Sequence, residues 1–127
     1  MILDTSFIYA YFNSVDSLHD KAHRLFELAG EEPHFMSFLV YQELLTLMTS
    51  RFSSKEALEL GKVLLSEDSG LHLLKIDEEY FEETLSLFEK LSPHRLSFVD
   101  VSLIVLSKNL ETKVLTFDQG LERALNV

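Results

Sequence analysis

The sequence predicts an α/β fold: a three-layer α/β/α arrangement with a short central parallel sheet. Three observations predict it. Short apolar runs alternate with segments of helical period along the whole chain. Breaks rich in Gly, Pro and Ser separate these segments. One helical segment, Ser97 to Asn109, is apolar nearly all round and so belongs in a buried layer. Strands separated by helices imply parallel pairing, with helices covering both faces of the sheet.

The elements follow in order. Met1 to Leu3 is a first short strand. Thr5 to Phe12 and Asp16 to Ala29 are helices; Leu18, Ala22, Leu25, Phe26 and Ala29 give the second an apolar face. Gly30-Glu31-Glu32-Pro33 is a break. His34 to Ser37 is the second strand, and a helix runs from Phe38 to about Ser50. Ser53-Ser54-Lys55-Glu56 reads as a capping box and opens a helix to about Ser66. Glu67 to Gly70 is a turn, and Leu71 to Ile76 the third strand. Asp77 caps an acidic helix to about Leu91, and Ser92-Pro93-His94-Arg95 breaks the chain again. After the apolar helix, Lys113 to Phe117 is the fourth strand and Asp118 caps a short last helix. With no repeat, linker or low-complexity tract, residues 1–127 read as a single domain.

Composition narrows the function. The ten phenylalanines and the 46% hydrophobic content support a real core and exclude a disordered chain. Absence of cysteine excludes disulfides, zinc–thiolate sites and thiol catalysis, and fits a reducing cytoplasm. The opening Met1-Ile2-Leu3-Asp4 lacks the cationic region of a signal peptide, and no apolar run reaches the ~20 residues that span a membrane. A cytoplasmic protein without a membrane partner is the expectation. The net charge of −10 argues against broad electrostatic binding to nucleic acid or anionic lipid.

Four acids occupy positions where packed residues are expected. Asp4 ends the first apolar run and Asp118 the last; Asp100 interrupts the most apolar helix; Glu43 lies between Leu39 and Leu47 at helical spacing. An unpaired carboxylate in apolar surroundings costs several kcal/mol or shifts its pKa. Each has a plain structural alternative. Asp4 and Asp118 stand where helices begin, Asp100 is three residues after Ser97 in a capping-box spacing, and Glu43 fits a solvated helix. As a set they fall at one edge: two at strand carboxyl ends and two in early helical turns. Ligands of open parallel sheets bind at that edge. A divalent ion is the simplest positive group for four carboxylates to share.

These residues resemble the motifs of the PIN domain, a small metal-dependent nuclease fold. The first motif resembles Asp4-Thr5-Ser6-Phe7-Ile8-Tyr9-Ala10 after an apolar strand, and Asp16 to Ala22 follows the family's habit. The second acid falls in Tyr41-Gln42-Glu43-Leu44, the third in Leu96 to Ile104 around Asp100, the fourth in Leu115-Thr116-Phe117-Asp118. The order of all four acids is kept over nearly the whole chain. The compact layout is similar to VapC-type toxins of toxin–antitoxin pairs. One departure is that the chain stops soon after the fourth motif, so the expectation is a last edge strand that is very short or missing.

The resemblance implies an endoribonuclease using Mg²⁺ or Mn²⁺, with Asp4, Asp100, Asp118 and Glu43 as catalytic and metal-binding residues. Ser6 and Thr116 would orient a carboxylate or a bound water. Both ions prefer hard oxygen ligands and keep several waters. RNA would be cut to 5′-phosphate and 3′-hydroxyl ends. An antitoxin protein is the implied partner, and a cationic one suits the acidity; its arginine could enter the carboxylates in place of metal.

Other readings stay open. A non-catalytic PIN-like module that binds RNA or protein is one. A small-molecule phosphohydrolase of the haloacid dehalogenase type is another, although Ser6 stands where its second aspartate is needed. His19 and His23 have a zinc-capable spacing but no third ligand, so a helix-face role outweighs it. Lys21, Arg24, Arg51, Lys55 and Arg95 are candidates to grip phosphates, against a default of solvated charge. Phe38, Leu45, Leu47, Met48, Phe52 and Leu58 exceed what one short sheet can cover, which predicts a homodimer.

Overall fold

The structure, a computed structural model, describes residues 1–126. Four strands form one sheet: β1 (Ile2–Leu3), β2 (His34–Ser37), β3 (Leu71–Leu74) and β4 (Val114–Leu115). Their order is β3-β2-β1-β4, and every pairing is parallel. Around it lie α1 (Thr5–Phe12), α2 (His19–Ala29), α3 (Phe38–Arg51), α4 (Ser54–Leu65), α5 (Glu78–Leu91), α6 (Phe98–Leu110) and α7 (Gln119–Leu125).

Handedness distributes the helices. The chain steps one way from β1 to β2 to β3, then returns past both to β4. Right-handed crossovers therefore put α1 to α4 on one face, and α5 and α6 on the other. Packing agrees: α1 meets α2 and α3, α3 meets α4, while α5 and α7 pack on α6. The three-layer expectation holds.

β2 has the expected bounds, while β1, β3 and β4 are shorter than expected. β3 stops at Leu74 because its partner β2 stops at Ser37, directly opposite; Lys75 and Ile76 have no strand beside them. β4 keeps two residues because β1 offers two. α2 starts at His19 rather than Asp16. The Asp16 carboxylate accepts from Leu18 N at 2.8 Å and its carbonyl from His19 N at 3.1 Å, which makes a turn. Ser53 caps α4 as expected, but Glu56 takes the Ser53 hydroxyl rather than its backbone N–H, which makes half a capping box. No strand follows β4 among the described residues.

Ile2, Phe7, Met36, Val40, Leu44, Leu103 and Leu121 are fully buried, each worth about 1.5–3 kcal/mol of burial. α6 is the buried layer: Val101 to Leu106 are all inside. Gly61 sets the approach of α4 to α3. A Cβ there would lie 2.8 Å from Tyr41 Oη, which instead donates to the Gly61 carbonyl at 3.2 Å. That contact fixes α3, and with it Glu43.

Candidate active site

Strand order reverses beside β1, which has β2 on one side and β4 on the other. Ligand sites of open parallel sheets lie outside the carboxyl ends at such a point. Asp4 directly follows β1 there, and Thr116-Phe117-Asp118 directly follows β4. α3 and α6 begin at the same edge, which brings up Glu43 and Asp100. The result is an open cleft of about 390 Å³ lined by Asp4, Ser6, Glu43, Asp100 and Asp118.

The four acids are not equally buried. Asp4 is 3% exposed; Glu43 and Asp100 are half-buried; Asp118 is exposed. The expectation of a packed position fails for Asp118 because β4 ends at Leu115 and the chain has already turned outward.

Their bonding separates the plain readings from the convergent one. Asp118 is a helix cap: its Oδ1 accepts from Leu121 N at 2.8 Å. Asp100 completes a capping box, with its N–H donating to Ser97 Oγ and its Oδ2 accepting from Ser97 N, both at 3.0 Å. Each cap occupies one carboxylate oxygen and leaves the other. Asp4 stands at the N-cap position of α1 but makes no side-chain cap. Its Oδ2 accepts from Ser6 Oγ at 2.9 Å and from Thr116 Oγ1 at 2.7 Å.

Those hydroxyls are themselves fixed. Phe117 N donates to Ser6 Oγ and Asp118 N to Thr116 Oγ1, both at 3.0 Å. Each hydroxyl hydrogen is committed to Asp4, so the 3.3 Å approach of Ser6 Oγ to Thr116 Oγ1 is a contact between acceptors. The network ties the end of β1 to the end of β4 through one carboxylate.

The charges of the set act on Glu43 and Asp100. Burial pushes the Glu43 carboxyl above its usual range, and the charges of Asp4, Asp100 and Asp118 push it further; the Thr5 hydroxyl opposes them. Thr5 Oγ1 is buried with no close hydrogen-bond partner among the described residues, so its help to Glu43 is loose. Burial also raises Asp100, with Asp118 and Asp4 adding to it and the Ser97 N–H opposing.

The donor set suits a hard divalent cation. It is all oxygen, and Asp4 is oriented from behind by two hydroxyls, as metal ligands commonly are. Among the described residues no three His, Asp or Glu stand close enough together to hold an ion as they are. Mg²⁺ takes only one or two carboxylates directly, keeping waters for the rest. The residues therefore fit the group by chemistry and orientation, at a spacing that leaves room for water.

The cleft also holds residues not singled out as acids of the set. Asp16 lines it from the α1–α2 turn. Tyr9, Phe117 and Arg51 line it too. Thr5 and Tyr9, four residues apart, share one side of α1, a signal available in the sequence; no helical spacing marks Phe117. His19 and His23 lie outside the cleft lining. His19 Nδ1 donates to Ala10 O at 2.9 Å and His23 Nε2 to Tyr11 O at 3.0 Å, which satisfies the last carbonyls of α1. The helix-face reading of that pair stands.

Comparison with known proteins gives one family and one fold. The sequence model described as PIN domain matches residues 1–125. No curated protein sequence matches the chain. Among solved structures, the chain is similar to Mycobacterium tuberculosis VapC20, described as a sarcin–ricin loop cleaving toxin. The TM-score is 0.84 at 24% identity, covering 97% of this chain and 93% of that one. It is similar to FitAcB from Neisseria gonorrhoeae, with TM-score 0.71, 19% identity, and 99% and 93% covered. A toxin–antitoxin complex from Klebsiella pneumoniae gives 0.64 at 13% identity, with 92% and 85% covered. At these identities the solved structures speak to the fold.

Proposed function

This chain belongs to the PIN domain family, and on that premise we propose that it is a metal-dependent endoribonuclease, the toxin of a toxin–antitoxin pair. The observation that carries the reading is the Asp4 carboxylate. Two hydroxyls, Ser6 Oγ and Thr116 Oγ1, take the same oxygen of a buried aspartate, one of them from 112 residues away. Plain helix capping needs no such arrangement.

Asp4, Asp100 and Asp118 would hold Mg²⁺ or Mn²⁺, with Glu43 beside them. The bound ion supplies activation of water and neutralisation of phosphate charge. Glu43 would bind a second ion or position the attacking water. Ser6 and Thr116 keep Asp4 aimed into the cleft. In-line hydrolysis leaves a 5′-phosphate and a 3′-hydroxyl, because the 2′-hydroxyl takes no part.

The likeness to one structure described as a toxin–antitoxin complex supports an antitoxin partner. The exposed Phe38, Phe52 and Leu58 support a homodimer through the α3–α4 hairpin; Leu45, Leu47 and Met48, also expected there, are partly covered. Sedimentation that shows only monomer at micromolar concentration would remove the dimer.

Cleavage of RNA, including a sarcin–ricin loop fragment, in Mn²⁺ and in excess EDTA tests the activity. Products ending in 5′-phosphate, formed only with metal and lost in Asp100→Asn, are the expected result. Cleavage that persists in EDTA rejects the mechanism. No cleavage with any RNA, despite metal binding, favours the non-catalytic module.

A further inference from the structure

We propose that Arg51 and Lys21 seat a single-stranded RNA across the acidic cleft, one phosphate contact on each rim. The proposal rests on the ribonuclease reading above and adds the residues that hold the strand.

The electrostatic difficulty is plain. A polyanion must approach four carboxylates in a chain with 21 acidic and 11 basic residues. Divalent metal answers this at the reacting phosphate, but the neighbouring phosphates need positive charge of their own.

Packing supplies it in two places. The Arg51 guanidinium sits over the Tyr9 ring, 5.1 Å from its centroid. Lys21 Nζ sits over the Phe117 ring at 5.9 Å. Both rings line the acidic cleft, so the two cation–aromatic contacts found among the described residues both fall on its walls. They come from different elements: Arg51 ends α3 and Lys21 lies in the first turns of α2.

The rings are well placed as supports. Phe117 is one residue before Asp118, its N–H bonded to Ser6, and it stacks on the buried Phe7 at 5.6 Å. Tyr9 is one turn beyond Ser6 on α1. Each cation is exposed, so its charge stays hydrated and available, while the ring narrows the directions its side chain samples. A strand crossing from rim to rim presents one phosphate to the carboxylates and flanking phosphates to Lys21 and Arg51. Of the five cations weighed from the sequence, Arg51 alone lines the cleft directly and Lys21 reaches a cleft-lining ring; Arg24, Lys55 and Arg95 do neither.

The test uses wild type, Arg51→Ala, Arg51→Lys, Lys21→Ala and the double alanine variant. Each is assayed in Mn²⁺ on an RNA oligonucleotide and on bis(p-nitrophenyl) phosphate, a diester with no flanking phosphates. Each alanine substitution should raise KM for RNA roughly tenfold, the cost of one charge-assisted contact. It should raise KM for the short diester less. The salt dependence of log KM for RNA should fall by about 0.7 per contact removed, and Arg51→Lys should keep most of the wild-type KM. Unchanged RNA KM and salt slope in both alanine variants would overturn the proposal, as would equal losses on both substrates. If wild type cleaves neither substrate, the ribonuclease reading has failed on its own. Anisotropy titration of a labelled RNA in Ca²⁺ then decides the rims. A double variant that binds at least tenfold more weakly sustains them, and equal affinity removes them.

Discussion

Asp4 and His34 are both buried polar residues next to the sheet, 3% and 7% exposed, at opposite edges of it. Asp4, at the carboxyl edge, receives two hydroxyl hydrogen bonds and faces a cleft. His34, at the amino edge, stacks on Phe26 at 4.5 Å and leaves Nε2 without a partner among the described residues. Burial lowers its pKa and the adjacent N-terminal ammonium lowers it further, against the pull of Glu32. Both effects disfavour the protonated ring. The first edge organises charge, and the second avoids it. A buried polar atom by itself is not a site; what distinguishes Asp4 is that its surroundings are arranged to keep a charge there and aim it.

The largest test of that contrast is catalytic. Asp4→Asn, Asp100→Asn and Asp118→Asn should each cut RNA cleavage by several orders of magnitude, with Glu43→Gln also severe. His34→Phe should leave kcat within a few-fold of wild type. Steady-state kinetics in Mn²⁺ make the comparison, and a His34 effect as large as that of Asp4 would erase the distinction between the edges.

Next in size is the response to metal. An ion that binds only the folded state stabilises it by RT ln(1 + [M]/Kd), about 2.7 kcal/mol at a hundredfold excess. Melting curves in Mn²⁺ and EDTA should show this for wild type and for His34→Phe, and much less for Asp100→Asn. Without metal, Asp100→Asn should be no less stable than wild type. It loses a charge that burial and its neighbours oppose, and its amide oxygen can still accept from Ser97 N–H. Asp100→Ala removes the cap as well and should lose about 1 kcal/mol.

Thr116→Val is smaller and more local. It strips one donor from Asp4 and leaves the Asp118 N–H without its acceptor. A cost of about 1–3 kcal/mol follows, together with weaker Mn²⁺ binding, both measurable by denaturant titration with and without metal.

The smallest effect is in pH, and the two edges have opposite signs. Glu43 and Asp100 bind protons more tightly when folded, so the metal-free protein gains stability as pH falls through their raised pKa values. That gain is lost as pH rises past them. His34 binds its proton less tightly when folded, so its contribution is full above about 6.5 and declines as pH falls. Glu43→Gln should flatten the first trend and His34→Phe the second. A metal-free stability profile indifferent to both substitutions would refute the pKa directions.

Much of this was readable in the chain. Helical period together with cap residues located the seven helices of the described residues, and the apolar Ser97–Asn109 segment sits inside as expected because a helix without a polar face has nowhere else to go. The bounds of β2 were legible, but the lengths of β1, β3 and β4 were overestimated, because a strand ends where its partner does and partners are not written locally. Sheet order was equally silent, since it depends on which crossovers pack. Asp4 and Asp118 could be placed from strand ends, but their unequal burial could not. Asp100 carried both of its readings: the spacing from Ser97 predicts the capping box, and the box is formed while the residue also lines the cleft. The rims were least legible. Lys21 meets Phe117 only because α2 packs near the end of β4, a contact between residues 96 positions apart by their numbering.

The bond from Thr116 to Asp4 joins residues 112 positions apart. On a ribosome adding roughly 5–20 residues per second, their syntheses are separated by on the order of ten seconds. Throughout that interval the nascent chain has its first aspartate but neither the strand nor the hydroxyl that orients it. Assembly of the cleft is thus among the last events in making the protein. The order of synthesis sets when the carboxylate can be oriented: the aspartate comes first, and its hydroxyl partner from β4 almost last.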